Sequence, residues 1–270
     1  MPESKETIAI LGCGWLGLPL AQHFISKKYK VNGSTTTESK LELLKSSGIH
    51  PFLIDLTNRK NIPKNFFEME SLVINIPPGL RRGNLDQHLK ELGNAFEVIN
   101  QSEPLKNILF VSSTSVYPDS NQTLTEENPD ENSQIFIIEE EVKKLWRKNL
   151  TILRCGGLMG YGRIPCKYYS GKKNLELADT PVNYIFRDDV IGIIDQVLQK
   201  KAWNKTFNAV APQHPKRIEI IRDCTERTDY LMPEFAKKPT VKPFKIISSE
   251  KVLRVLEYKF LYPNPLSFPY

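Results

Sequence analysis

Three glycines near the start of the chain have the spacing that lets a main chain wrap a phosphate. Gly12-Cys13-Gly14-Trp15-Leu16-Gly17 is a G-x-G-x-x-G run. Glycines there permit a tight turn, let backbone N–H groups approach a pyrophosphate, and let a helix pack closely on a strand. The run follows the apolar stretch Thr7 to Leu11 and precedes a segment with Leu16, Leu20 and Phe24 at helical spacing. That is the strand, turn and helix order such a loop needs, and Pro19 falls in the first helical turn, where its missing N–H costs little. Dinucleotide binding is the chemistry expected, with Gly12, Gly14, Trp15, Leu16 and Gly17 as contacts.

An NAD site usually has an acidic residue about twenty positions downstream, accepting from the ribose hydroxyls. No acidic residue occurs from Leu18 to Thr37. Ser34, Thr35, Thr36 and, behind them, Lys40 can instead donate to a 2′-phosphate, so NADP is favoured over NAD. Asp55, ending a third extended stretch, suits either a bond to the adenine amino group or the start of a turn. Leu56, Ile76, Pro77 and Ser112 complete the expected cofactor contacts.

These residues sit where strands give way to turns. Extended stretches at 7–11, 30–34, 49–54, 71–76 and 108–112 alternate with helical patterns, the longest running through Leu85, Leu89, Leu92, Phe96 and Ile99. Such alternation demands crossovers, and right-handed crossovers give an α/β fold with a Rossmann-type doubly wound parallel sheet. We expect this domain over residues 1–160 and a smaller C-terminal substrate lobe over 161–270, with a strand and helix at about 182–210 returning to the first domain. The polar stretch Asp119 to Ser133 reads as a long loop, and Ser249 to Leu256 as a short helix.

With 40% apolar and 25% charged residues in 270, the chain has a core's composition, which excludes disorder, collagen and coiled coil. The net charge of +6 lies in scattered doublets, among them Arg81-Arg82 and Lys237-Lys238, with no basic stripe. A small anionic molecule is therefore expected as partner, and nucleic acid is not. No apolar run is long enough to span a bilayer, so neither a membrane partner nor a location outside the cytoplasm is expected. Cys13, Cys155, Cys166 and Cys224 show neither a C-x-x-C pair nor zinc spacing, which predicts four free thiols in a reducing compartment and no metal.

Further motifs follow in order: Val111-Ser112-Ser113-Thr114-Ser115-Val116-Tyr117, then Ile152-Leu153-Arg154 with Gly157 to Arg163, then Val182 to Val190, then Thr206 to Pro212. Together with the glycine loop they resemble an atypical extended short-chain dehydrogenase/reductase, of the NAD-dependent epimerase/dehydratase type, over almost the whole chain. The resemblance implies NAD or NADP, frequent nucleotide-sugar substrates, a homodimer, and chemistry by a serine, a tyrosine and a lysine. The serine maps to Ser113. The tyrosine and lysine do not map, because no tyrosine lies between Pro118 and Gly160; Glu140 or Glu141 resembles the family's helix glutamate just beyond the lost pair. Tyr117, Tyr168, Tyr169 and Ser113 itself are the alternative proton donors, with Tyr117 beside Ser113 as the catalytic candidates. Two functions stay open: an oxidoreductase or epimerase with an unorthodox donor, and a dinucleotide-binding sensor or scaffold without turnover.

Overall fold

A computed structural model describes residues 6–79, 85–176, 178–236 and 242–270. The basic doublets Arg81-Arg82 and Lys237-Lys238 lie outside the described residues. The first half alternates as expected: β1 (Thr7–Leu11), α1 (Gly17–Ser26), β2 (Lys30–Thr35), α2 (Leu41–Ser46), β3 (His50–Leu53), β4 (Ser71–Ile74), α3 (Leu85–Ile99) and β5 (Asn107–Ser113). There follow β6 (Gln122–Leu124), α4 (Gln134–Leu145), β7 (Asn149–Cys155), β8 (Gly157–Met159), β9 (Tyr184–Phe186), α5 (Arg187–Gln199) and β10 (Lys205–Ala209). The chain ends with α6 (Arg217–Glu226), β11 (Lys245–Ile247) and α7 (Glu250–Val255).

A seven-stranded sheet has the order β10-β7-β5-β4-β1-β2-β3. β1 pairs in parallel with β2 on one side and β4 on the other. The strand order therefore reverses at β1, the switch point at which open α/β sheets take ligands beyond the carboxyl ends of their strands. Alternation along β1 serves both faces. Ala9 and Leu11 join a core with Leu92, Phe96 and Ile99 of α3 and Ile138 and Val142 of α4, and α1 packs on β1 and β2 with Leu20, Ala21 and Phe24 fully buried.

Two compact units result. The first takes the residues up to 112 with 134–153 and 202–205; the second takes 113–133, 154–201 and 206–270. The interleaving thus differs from a division near 160, because segments 113–133 and 154–160 belong with the C-terminal residues. The stretch read as a long loop holds β6, which pairs in parallel with β11.

The cysteine expectation is corrected. Cys166 and Cys224 form a disulfide, both fully buried, that ties a short 3-10 turn at Cys166–Tyr168 to α6. Folding brings together residues 58 positions apart, which spacing rules cannot see. A cross-link of that span removes about 4 kcal/mol of unfolded-chain entropy in the simplest model. Only Cys13 and Cys155 are free, both buried, and burial pushes each thiol up to about 12. The cysteines therefore no longer argue for a reducing compartment.

Tyr117 is a second correction. Its side chain is 2% exposed; its hydroxyl donates to Asn208 Oδ1 (2.6 Å) and accepts from Arg154 Nη1 (2.8 Å). Arg154 also donates to the Glu126 carbonyl, and the Asn208 backbone N–H donates to the Glu126 carboxylate. Desolvation outweighs the Arg154 charge and pushes the phenol up to about 12. A phenol so buried and doubly bonded contributes to the framework of the second unit, which argues against the proton-donor role expected of Tyr117.

Two outcomes follow. Denatured without reductant, the protein should titrate two thiols, and four after reduction; four before reduction would contradict the disulfide. Tyr117→Phe leaves the Arg154 and Asn208 groups without their partner, so chemical denaturation should show a loss of about 1–3 kcal/mol; an unaltered midpoint would contradict the network.

Candidate dinucleotide site

The loop after β1 is shaped by contacts that only glycines allow. Gly12 has φ +105°, and a Cβ there would lie 2.5 Å from the Asn75 carbonyl oxygen. A Cβ on Gly17, the first residue of α1, would lie 2.1 Å from the Gly12 carbonyl oxygen. The turn from strand to helix is therefore as close as main chain can pack. Gly14 differs: it is exposed and nothing lies within 4 Å of its Cβ direction, so the open side of the loop is here.

Neighbouring strands clamp this turn. From β2, Ser34 accepts the Gly12 N–H on its hydroxyl (2.9 Å) and the Cys13 N–H on its carbonyl (2.8 Å). After β4, Asn75 donates its side-chain amide to the Gly12 carbonyl (3.1 Å), and its own N–H to Leu11 (2.9 Å). α1 starts with no side-chain cap and no acidic residue in its first turn. A helix N-terminus so arranged suits an anion, because the dipole and the N–H groups both favour negative charge. Trp15 is half-buried beside it, Leu16 is buried, and Ile76 comes within 3.4 Å of the Gly12 Cβ direction.

The residues expected to read the ribose divide. Ser34 is 3% exposed and its hydroxyl serves Gly12, so it shapes the loop rather than meeting a 2′-phosphate, correcting that expectation. Thr35 is buried and accepts the Thr37 N–H (3.1 Å), closing a local turn. Thr36 and Lys40 are exposed. Asp55 is exposed as well, and its carboxylate accepts the Thr57 N–H (2.9 Å). That backbone bond holds the carboxyl below its usual range. The turn role is thus filled by one oxygen of Asp55. Leu56 is buried and Pro77 exposed.

At the end of β5, Ser112 donates to Glu139 Oε1 (2.6 Å), a carboxylate of α4 that is fully buried. Its neighbours Glu140 and Glu141, one of which was matched to the family's helix glutamate, pair with Lys143 (2.7 Å) and Lys144 (3.6 Å). The signal that would have found Glu139 is helical periodicity: it shares the face of Ile135, Ile138 and Val142. Asn75 was missed too, although an amide ending the apolar run of β4 beside the switch point marked it. In the second unit, Ser113 is half-buried and its hydroxyl accepts the Ser115 N–H (3.1 Å). Tyr168 is exposed, whereas the Tyr169 hydroxyl accepts from Arg217 and burial raises the neighbouring Tyr184 phenol, so these aromatics form a wall with a basic edge. His214 Nδ1 donates to the Val182 carbonyl (3.1 Å), and burial lowers the imidazole below its usual range.

No protein-family model matches the chain. It is 30% identical over 273 residues to Protein YeeZ of Escherichia coli K12, covering 98% of this chain and 99% of that protein. A UDP-glucose-4-epimerase from Stenotrophomonas maltophila, solved with bound NAD and formylated UDP-arabinopyranose, superposes with a TM-score of 0.78 at 14% identity, covering 98% of this chain and 96% of that one. A short-chain dehydrogenase/reductase superfamily protein from Agrobacterium tumefaciens with bound NAD gives 0.75 at 13% identity, covering 95% and 93%. A functionally unknown conserved protein from Silicibacter pomeroyi gives 0.77 at 16%, covering 97% and 96%. The structural likenesses carry the fold, which agrees with the sheet order and glycine turn above; the full-length sequence likeness carries the family, and the chain belongs to the family of Protein YeeZ.

Proposed function

We propose that the protein is an NAD(P)-dependent oxidoreductase or epimerase-like enzyme acting on a small polar substrate of the sugar or nucleotide-sugar class. The carrying observation is the clamped glycine turn: Gly12 and Gly17 packed against main chain, Gly14 open, and α1 starting uncapped. Gly14, Trp15, Leu16 and Gly17 fit the pyrophosphate of such a cofactor, with Asp55, Leu56, Ile76, Pro77 and Ser112 along its length. The nicotinamide, when bound, supplies the hydride chemistry. Ser113 orients the reacting oxygen by hydrogen bonding, and Ser112 is held by the buried carboxylate of Glu139.

NADP is the form favoured in this reading, since Thr36 and Lys40 are exposed donors just beyond β2, although the exposed carboxylate of Glu38 between them opposes a 2′-phosphate. A second reading, a dinucleotide-occupied sensor or scaffold in the cytoplasm that does not turn over, is favoured by one observation: the tyrosine nearest Ser113 in sequence has its hydroxyl committed to Asn208 and Arg154. General acid–base catalysis contributes about 10²–10⁴-fold, so losing its usual donor is the main argument against rapid turnover. A homodimer is the assembly proposed from the family.

Titration with NADPH and NADH, followed by Trp15 emission, tests the cofactor. Saturable quenching is expected, with NADPH tighter by about tenfold, as one charge-assisted hydrogen bond supplies. Lys40→Ala should equalise the two, and Gly14→Asp should abolish both. Failure of either nucleotide to bind the wild type would overturn the proposal; a preference for NADH would overturn only its NADP part.

A further inference from the structure

Beyond Asp55 the first unit has a cavity of about 550 Å³ that the dinucleotide reading does not use, lined by Thr57, Asn58, Arg59, Lys60, Lys90 and Asn94. Three of those six side chains are cationic and none is acidic. Two carboxylates touch the lining residues: Glu97 is paired with Arg59 at 2.5 Å and Asp55 accepts the Thr57 N–H (2.9 Å), while Lys60 and Lys90 add two further positive charges to the wall.

The wall is built rather than merely crowded. Asn94 of α3 donates its amide to the carbonyls of Leu56 (2.8 Å) and Thr57 (3.4 Å), fixing the segment after β3 against the helix. Asn58 then caps the 3-10 turn Arg59–Asn61 by accepting the Lys60 N–H (3.0 Å). These bonds bring residues of the β3 connection and residues of α3 to one concavity, lined by an exposed lysine from each side. Ammonium groups bind as compact point charges and favour anions with high charge density. A neutral sugar or base would leave the two lysines without a counter-charge.

We propose that this cavity is a second anion site, distinct from the glycine loop, and that its ligand is a compact phosphorylated anion of the diphosphate class. The site needs only residues of the β3 connection and α3, so it stands or falls independently of dinucleotide binding.

Calorimetric titration with inorganic pyrophosphate at low salt tests this on three proteins: wild type, Gly14→Asp, and the double variant Lys60→Ala/Lys90→Ala. Saturable binding is expected in wild type and, within about twofold, in Gly14→Asp, which blocks the glycine loop alone. The double variant should bind on the order of tenfold more weakly, and added salt should weaken the wild type in the same direction. If the double variant fails to fold, single Lys90→Gln should show a smaller loss of the same sign. Loss of binding in Gly14→Asp would place pyrophosphate at the glycine loop and overturn the proposal. So would unchanged affinity in the lysine variants, or no saturable binding by wild type.

Discussion

A 2.1 Å approach, from the position a Gly17 Cβ would take to the carbonyl oxygen of Gly12, sets the geometry of the first unit. Because that contact admits no side chain, the chain leaves β1 and enters α1 within five residues, and the helix N-terminus stands at the switch point of the sheet. The flanking strands are fitted to it. β2 contributes Ser34, which takes both N–H groups of Gly12 and Cys13, and the residue after β4 contributes Asn75, which takes the Gly12 carbonyl. Gly33 completes the fit, since a Cβ there would lie 2.7 Å from the Cys13 sulfur and 2.6 Å from Ile49. The loop is thus preorganised by protein contacts, and an anion would find its N–H donors already in place.

The second unit is organised by buried polar groups instead. Tyr117, Arg154, Glu126 and Asn208 satisfy one another, and Asp189 on α5 accepts from the Tyr258 hydroxyl (2.9 Å) and the Leu261 N–H (2.7 Å). Such networks fix one arrangement, because each unmade bond in a low-dielectric interior costs more than a made one returns. Tyr117 and Arg154, singled out as motif residues in the sequence, are therefore part of the second unit's buried framework. The serines at the end of β5, Ser112 and Ser113, are only half-buried.

Much of this was legible in the sequence, and the boundary of legibility is physical. The order of strands and helices was readable because apolar periodicity is local, and the glycine loop because its spacing encodes its own turn. Residue type was also readable where role was not. Ser34 was seen as a donor near the ribose, but β2 buries it, and its oxygen closes on the backbone of the loop. The Cys166–Cys224 bond, the burial of Tyr117 and the choice of Glu139 over its two acidic neighbours depend on contacts between segments distant in sequence, which no window along the chain contains.

The central claim is that the clamped glycine turn is a dinucleotide phosphate site. The most direct test is calorimetric binding of ADP-ribose, which carries the pyrophosphate and both riboses but no nicotinamide, to wild type and to Asn75→Ala. The account predicts one saturable site in wild type and affinity reduced about tenfold in the variant, the cost of one hydrogen bond that shapes the loop. Absence of binding to the wild type, or an affinity indifferent to Asn75, would contradict it.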